Sequence, residues 1–217
     1  MTDENRRPLA SRNSAWATRL ASSAVTWGLT PNRISQASMG FAAIGFLLFW
    51  LFSPGSGGLQ FLCLILAAAT LLARLLCNLI DGMVAIEGGK GAKDGSFWNE
   101  APDRISDLLF FAGAGLAAGN PALGLLAAAL AIATACIREL GLAEGFPPDF
   151  SDPVAKPQRM AVLTAGSVLA AIYVIGWTLT VTLWIIVAVS AATVLRRSLT
   201  LIEKPKARSQ REAKAPI

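Results

Sequence analysis

Histidine is absent from the 217 residues, tyrosine occurs once and cysteine only three times. Cys63, Cys77 and Cys136 each sit inside an apolar run, and no zinc-type spacing links them. They read as reduced, buried, small apolar residues rather than a metal knot or a disulfide set. Charge is scarce as well. Only 15% of residues are charged, where a soluble domain carries about a quarter. No cleavable leader is visible, because residues 1 to 33 are polar and basic and the first long apolar run starts near Ile34. Arg6-Arg7 lacks the apolar stretch that a twin-arginine signal needs. There is no repeat at a solenoid period, no Pro-rich linker, and no pair of broken helices in matching halves. The last absence argues against a small transporter.

What the chain does have is apolar length. Hydrophobic residues make up 54% of it, enough for one compact domain of spanning helices. Six segments, 34 to 53, 59 to 86, 96 to 118, 121 to 143, 158 to 177 and 179 to 202, each approach the roughly 20 residues that a bilayer span requires. The breaks at Ser53–Gly58, at Gly119-Asn120-Pro121 and near Gly176-Trp177 carry no charge. The other connections carry Lys90, Lys93, Lys156 and Arg159. Arg6, Arg7, Arg12, Arg19 and Arg33 precede the first span, and Arg196, Arg197, Lys204, Lys206, Arg208, Arg211 and Lys214 end or follow the last. All the strong positive charge falls on one side, so both termini are expected in the cytoplasm.

The expectation is therefore an all-α membrane protein, a six-transmembrane-helix bundle with a juxtamembrane amphipathic helix before it. Residues 1–33 form a cytoplasmic leader, 34–203 the bundle and 204–217 a basic, disordered tail able to touch anionic lipid. Within the leader, residues 14 to 28 suit a short interfacial helix with Trp16 and Trp27 at headgroup level. Thr30 reads as an N-cap with Pro31 at the first helical position. Dense small residues, such as Ala67-Ala68-Ala69 and Ala112-Gly-Ala-Gly115, permit close helix packing.

One polar stretch interrupts this pattern. Arg74, Asn78 and Asp81 stand four and three residues apart, and Asn99, Asp103 and Asp107 four apart, so each set shares a helix face. Glu100 lies beside Asn99. Between the two sets, Glu87, Lys90, Lys93 and Asp94 read as a solvated loop. Asp81, Asp103 and Asp107 do not, because the apolar run Leu108-Leu-Phe-Phe111 follows directly. Acids at that depth cost several kcal/mol unless paired or bound to a cation. Carboxylates and carboxamides together form an oxygen-rich cage suited to a hard cation such as magnesium or manganese.

The stretch Asn78-x2-Asp81-Gly82-x2-Ala85-Ile86-x8-Gly95-x3-Asn99-x3-Asp103 resembles the signature of the CDP-alcohol phosphatidyltransferases, D-x2-D-G-x2-A-R-x8-G-x3-D-x3-D, with every interval kept. Asn78 and Asn99 replace the first and third aspartates and Ile86 replaces the arginine, departures shared by a bacterial subgroup of the family. The resemblance implies a metal-dependent transferase of phospholipid synthesis in the bacterial inner membrane, working as a homodimer with its site in the cytoplasm. It implies a CDP-activated lipid and a hydroxyl acceptor as substrates, membrane lipids as surroundings and no nucleic acid. Metal ligands are expected among Asn78, Asp81, Asn99, Glu100, Asp103 and Asp107. Asp103 is the expected base, with Asp107 its rival. Gly82, Ala85 and Gly95, with Pro31 and Asn32 opposite, match positions around the nucleotide. Arg74, Arg138, Lys156 and Arg159 are candidates for the diphosphate or an acceptor phosphate. A catalytically degenerate relative that binds lipid or nucleotide, or scaffolds another enzyme, is the competing reading.

Overall fold

The computed structural model describes residues 14–52, 57–87, 95–146, 156–173 and 177–214, and these form seven α-helices. They are α1 (Ala15–Thr26), α2 (Pro31–Leu51), α3 (Gly58–Glu87), α4 (Gly95–Ala117), α5 (Pro121–Ala143), α6 (Lys156–Tyr173) and α7 (Thr178–Lys214). Residues 1–13 and the loop with Lys90, Lys93 and Asp94 lie outside the described residues, as do the side chains of Ala85, Asn99 and Lys156.

The helices begin where the local chemistry starts them. Thr30 accepts the backbone N–H of Arg33, and Pro31 occupies the first helical position, where its missing N–H costs nothing. Asn120 repeats the device for α5, accepting the N–H of Leu123 ahead of Pro121. Between α4 and α5 the chain turns at Gly119, whose φ of +67° is easy for glycine alone. The Asn120 N–H returns to the Gly115 carbonyl and the Gly119 N–H to that of Leu116, which satisfies the end of α4.

The six long helices close into a ring in the order α2, α3, α6, α7, α5, α4, with α1 outside it against α3. One apolar cluster, including Phe49, Leu64, Phe110, Phe111, Leu163 and Leu183, fills the middle. A second joins Ala17, Ala21 and Ala24 of α1 to Ile34, Leu79, Met83 and Val84. Helix α1 thus buries an alanine face on α3 and leaves Trp16, Leu20 and Trp27 exposed, the arrangement expected of a helix lying on a membrane.

The outer surface is apolar and part of the interior is polar. Trp50, Leu72, Leu126, Trp184 and Leu199 are exposed. Buried Thr134, Thr164, Ser167 and Thr193 turn their hydroxyls back onto carbonyls three or four residues earlier. Cys63 is buried, as expected, but Cys136 is exposed and Cys77 half-buried. In a membrane helix the lipid face is as apolar as the core, so an apolar run does not tell the two apart.

Where α4 meets α5, the backbones touch. A Cβ on Gly115 would fall 2.7 Å from the Gly124 Cα, and the reverse is equally tight. Neither partner is a side chain able to turn aside. Gly124→Val is expected to cost about 3 kcal/mol, the upper end of ordinary overpacking, measured by thermal unfolding in detergent.

Among the described residues, four helices are long and apolar enough to cross a membrane: Pro31–Leu51, Gly58–Val84, Pro121–Ala143 and Thr178–Glu203. Six spans were expected. Helix α4 carries Glu100, Asp103, Arg104 and Asp107 in its first half, and α6 opens on Lys156 and Arg159, so neither reads as a plain apolar span. The tail also differs from the disordered one expected. Helix α7 continues to Lys214, through a stretch rich in Lys, Arg, Ala, Glu and Gln, all good helix formers.

Candidate functional site

The last turns of α3 and the first turns of α4 carry the polar stretch, and α2, α5, α6 and α7 bring their charged ends to the same region. Helix periodicity puts Arg74, Asn78 and Asp81 on one stripe of α3 and Asp103 and Asp107 on one stripe of α4. The two stripes meet at Arg74. Its side chain is wholly buried, and its Nη2 donates to Asp103 Oδ1 at 2.8 Å and stands 3.6 Å from Asp107 Oδ1. The charge of Asp81 acts on the same guanidinium. Two carboxylates of α4 therefore meet one cation of α3.

The acids differ in exposure. The Asp103 side chain is 23% exposed and that of Asp107 6%. Asp107 also lies in the field of Arg159, which is buried on α6, and of Arg104. Asp81 accepts a hydrogen bond from Ser35 of α2 at 3.2 Å, which fixes its carboxylate from the opposite helix. Gly82 and Asn78 are half-buried beside it, and Pro31 and Asn32 are half-buried at the start of α2. Ala85, Gly95 and Asn99 take their places on α3 and α4 by backbone position.

A second cluster stands next to the first. Glu100 gives one carboxylate oxygen to Arg104 and the other to Arg138, each at 2.8 Å. Arg138 also donates to Glu139 through Nε and Nη2. Glu100 was expected with the metal ligands and Arg138 with the acceptor groups; here each engages the other. The reason is geometric, since Glu100 looks along α4 toward Arg104, one turn on, and across to α5. Lys156 starts α6, and Arg159 follows one turn later.

Three contacts were not foreseen. Ser35 lies 46 positions from Asp81, and no local pattern pairs them. Arg197 of α7 donates to the Thr134 carbonyl on α5, another distant pairing. Arg104 on Glu100 was legible from its spacing of four.

Among the described residues, no three carboxylate or thiol side chains stand together as a ready-made metal cage. The donor chemistry nevertheless suits a hard dication, because the acids already gather around positive charge.

No protein-family profile matches the chain. It is a distant relative of the phosphatidylinositol phosphate synthase of Mycolicibacterium smegmatis, 28% identical over 188 residues that cover 82% of this chain and 80% of that protein. The fold matches two crystal structures of the Mycobacterium tuberculosis phosphatidylinositol phosphate synthase. With the one holding bound CDP-DAG the TM-score is 0.72 at 21% identity, over 87% of this chain and 94% of that one. With the one in complex with manganese and citrate it is again 0.72, at 22% identity, over 85% and 88%. The architecture is thus that of an integral membrane protein.

Proposed function

We propose that the chain is an integral-membrane CDP-alcohol phosphotransferase. It moves a phosphatidyl group from a CDP-activated lipid to a hydroxyl acceptor and releases CMP, a step of phospholipid synthesis. The observation that carries this reading is that Arg74, on the α3 stripe it shares with Asp81, meets Asp103 and Asp107 of α4, in a motif whose intervals are all kept. In this reading α4 and α6 complete six spans, the site faces the cytoplasm, and the protein works as a homodimer.

Asp103 takes the proton of the acceptor hydroxyl. It is the more exposed of the two candidate bases and so the one an acceptor can reach, while Asp107 lies deeper and steadies the cluster. The hydroxyl oxygen attacks the lipid-side phosphorus, the bond from that phosphorus to the bridging oxygen breaks, and CMP leaves with the electron pair. Magnesium or manganese, held by Asp81, Asp103, Asp107 and the carbonyl oxygens of Asn78 and Asn99, would neutralise the diphosphate. Ser35 keeps Asp81 turned inward. Gly82 and Ala85, with Pro31 and Asn32 opposite, leave room for the nucleotide, and Gly95 lets the chain begin α4 close to it. Arg159 and Lys156 offer positive charge to a phosphate-bearing acceptor. Arg138, on α5, is held by Glu100.

The test is a screen. Purified protein in lipid discs, given labelled CDP-diacylglycerol, manganese and a panel of acceptor alcohols, is expected to release CMP with at least one acceptor and to make the matching lipid. Inositol phosphate, glycerol phosphate and serine belong in the panel.

A second reading is favoured by one contact. Asp103 is already paired with Arg74 at 2.8 Å, and Asn78, Asn99 and Ile86 stand where the signature has charge. A non-catalytic relative would bind CDP or lipid with no metal dependence, and would release no CMP with any acceptor.

A further inference from the structure

We propose that Glu100 is a specificity-determining residue for the acceptor: its carboxylate fills the anion position between Arg104 and Arg138, so that a phosphate on the acceptor gains nothing from these two arginines. This rests on the transferase reading above and deepens it. Glu100 gives one oxygen to Arg104 and the other to Arg138, each at the 2.8 Å of a charge-assisted hydrogen bond. A phosphate would present two oxygens to two guanidiniums in the same way, and here the chain supplies its own anion instead. Glu139 adds two further bonds to Arg138, through Nε and Nη2. Two arginines and two glutamates leave the group without net charge.

Position ties this group to the reaction. Glu100 stands three residues before Asp103, on the same side of α4 and about 4.5 Å nearer the start of the helix. That start belongs to the charged end, so an acceptor bound for Asp103 approaches past Glu100. The side chains of Glu100, Arg104 and Arg138 are 26%, 24% and 29% exposed, enough for a solute to touch them. Holding α4 to α5 does not account for the group, because the two helices are already in backbone contact at Gly115 and Gly124. Arg104, one turn on, is by itself partner enough for a glutamate on a helix surface. The second bond, across to Arg138, silences a cation that would otherwise attract phosphate, and selectivity is built as much by withholding an attraction as by adding one. A phosphate on the acceptor is left to Arg159 and Lys156 of α6. A plain alcohol loses nothing at the α4–α5 corner by lacking one.

The experiment measures binding of radiolabelled inorganic phosphate to the purified full-length protein in lipid discs. It compares the natural chain with Arg138→Gln, Glu100→Gln and the double variant. Arg138→Gln is expected to bind phosphate nearly as the natural chain does, because Glu100 already occupies that arginine. Glu100→Gln is expected to bind at least about tenfold more tightly, the worth of one hydrogen bond to a charged group, and the double variant to lose the gain. With labelled CDP-diacylglycerol, the ratio of kcat/KM for glycerol phosphate over glycerol should rise by a similar factor in Glu100→Gln. A large loss of phosphate binding in Arg138→Gln overturns the inference, and that arm stands even if Glu100→Gln does not fold. An affinity or a ratio unmoved in Glu100→Gln overturns it too, as does a gain that survives the loss of Arg138. Those results leave the transferase reading standing, since CMP release continues in the screen. No CMP with any acceptor overturns that reading, and the acceptor role of Glu100 falls with it.

Discussion

Asp103→Asn is expected to lower CMP release by roughly a thousandfold, within the range that loss of a positioned general base produces. The substitution keeps the size of the side chain and a carbonyl oxygen for Arg74, but it removes the proton acceptor. Asp107→Asn is the paired experiment. Asp107 is too enclosed to reach an acceptor, so its loss should weaken metal binding more than it slows turnover at saturating manganese. Single-turnover release of CMP at several manganese concentrations separates the two effects. Equal turnover in Asp103→Asn and the natural protein would remove Asp103 from the role of base.

The second large effect concerns stability. Arg74→Leu strips the cation from Asp103 and Asp107 and leaves two acids facing each other, one of them almost fully buried. Breaking a buried pair by removing one partner typically costs about 3 to 5 kcal/mol, because the remaining charge is stranded. The expected outcome is a large drop in unfolding temperature without metal. Manganese should restore much of it, since an ion binding only the folded state stabilises that state by mass action. The same manganese should shift the natural protein less. If Arg74→Leu unfolds at the natural temperature, the ion pair is not the buried link described above.

Much of the bundle was legible in the chain. The ends of α3, α4 and α5 fall within a residue or two of the expected bounds, because glycine, proline and asparagine mark the breaks between apolar runs. The caps at Thr30 and at the start of α5 follow from the same local chemistry. Arg74, Asp103 and Asp107 were foreseen on facing stripes because helical spacing fixes direction. What spacing does not fix is the partner. Glu100 was grouped with the acids by its neighbour Asn99, yet one position along a helix turns a side chain by about 100°, toward Arg138. Ser35 on Asp81 needed the packing of α2 against α3 to be known first. Nor does an apolar run say which of its faces meets lipid, and so Cys136 emerged on the outside.

The ring of helices has its acids and arginines gathered at a single end, and the turn at the other, between α4 and α5, is built of Gly119, Asn120 and Pro121. If the proposed reaction runs at that end, each lipid made enters the leaflet that the charged end touches, and supply of that lipid to the far leaflet waits on a separate flipping step. Growth of the two leaflets would then be governed by different proteins, and the synthesis rate alone would not set the composition of both.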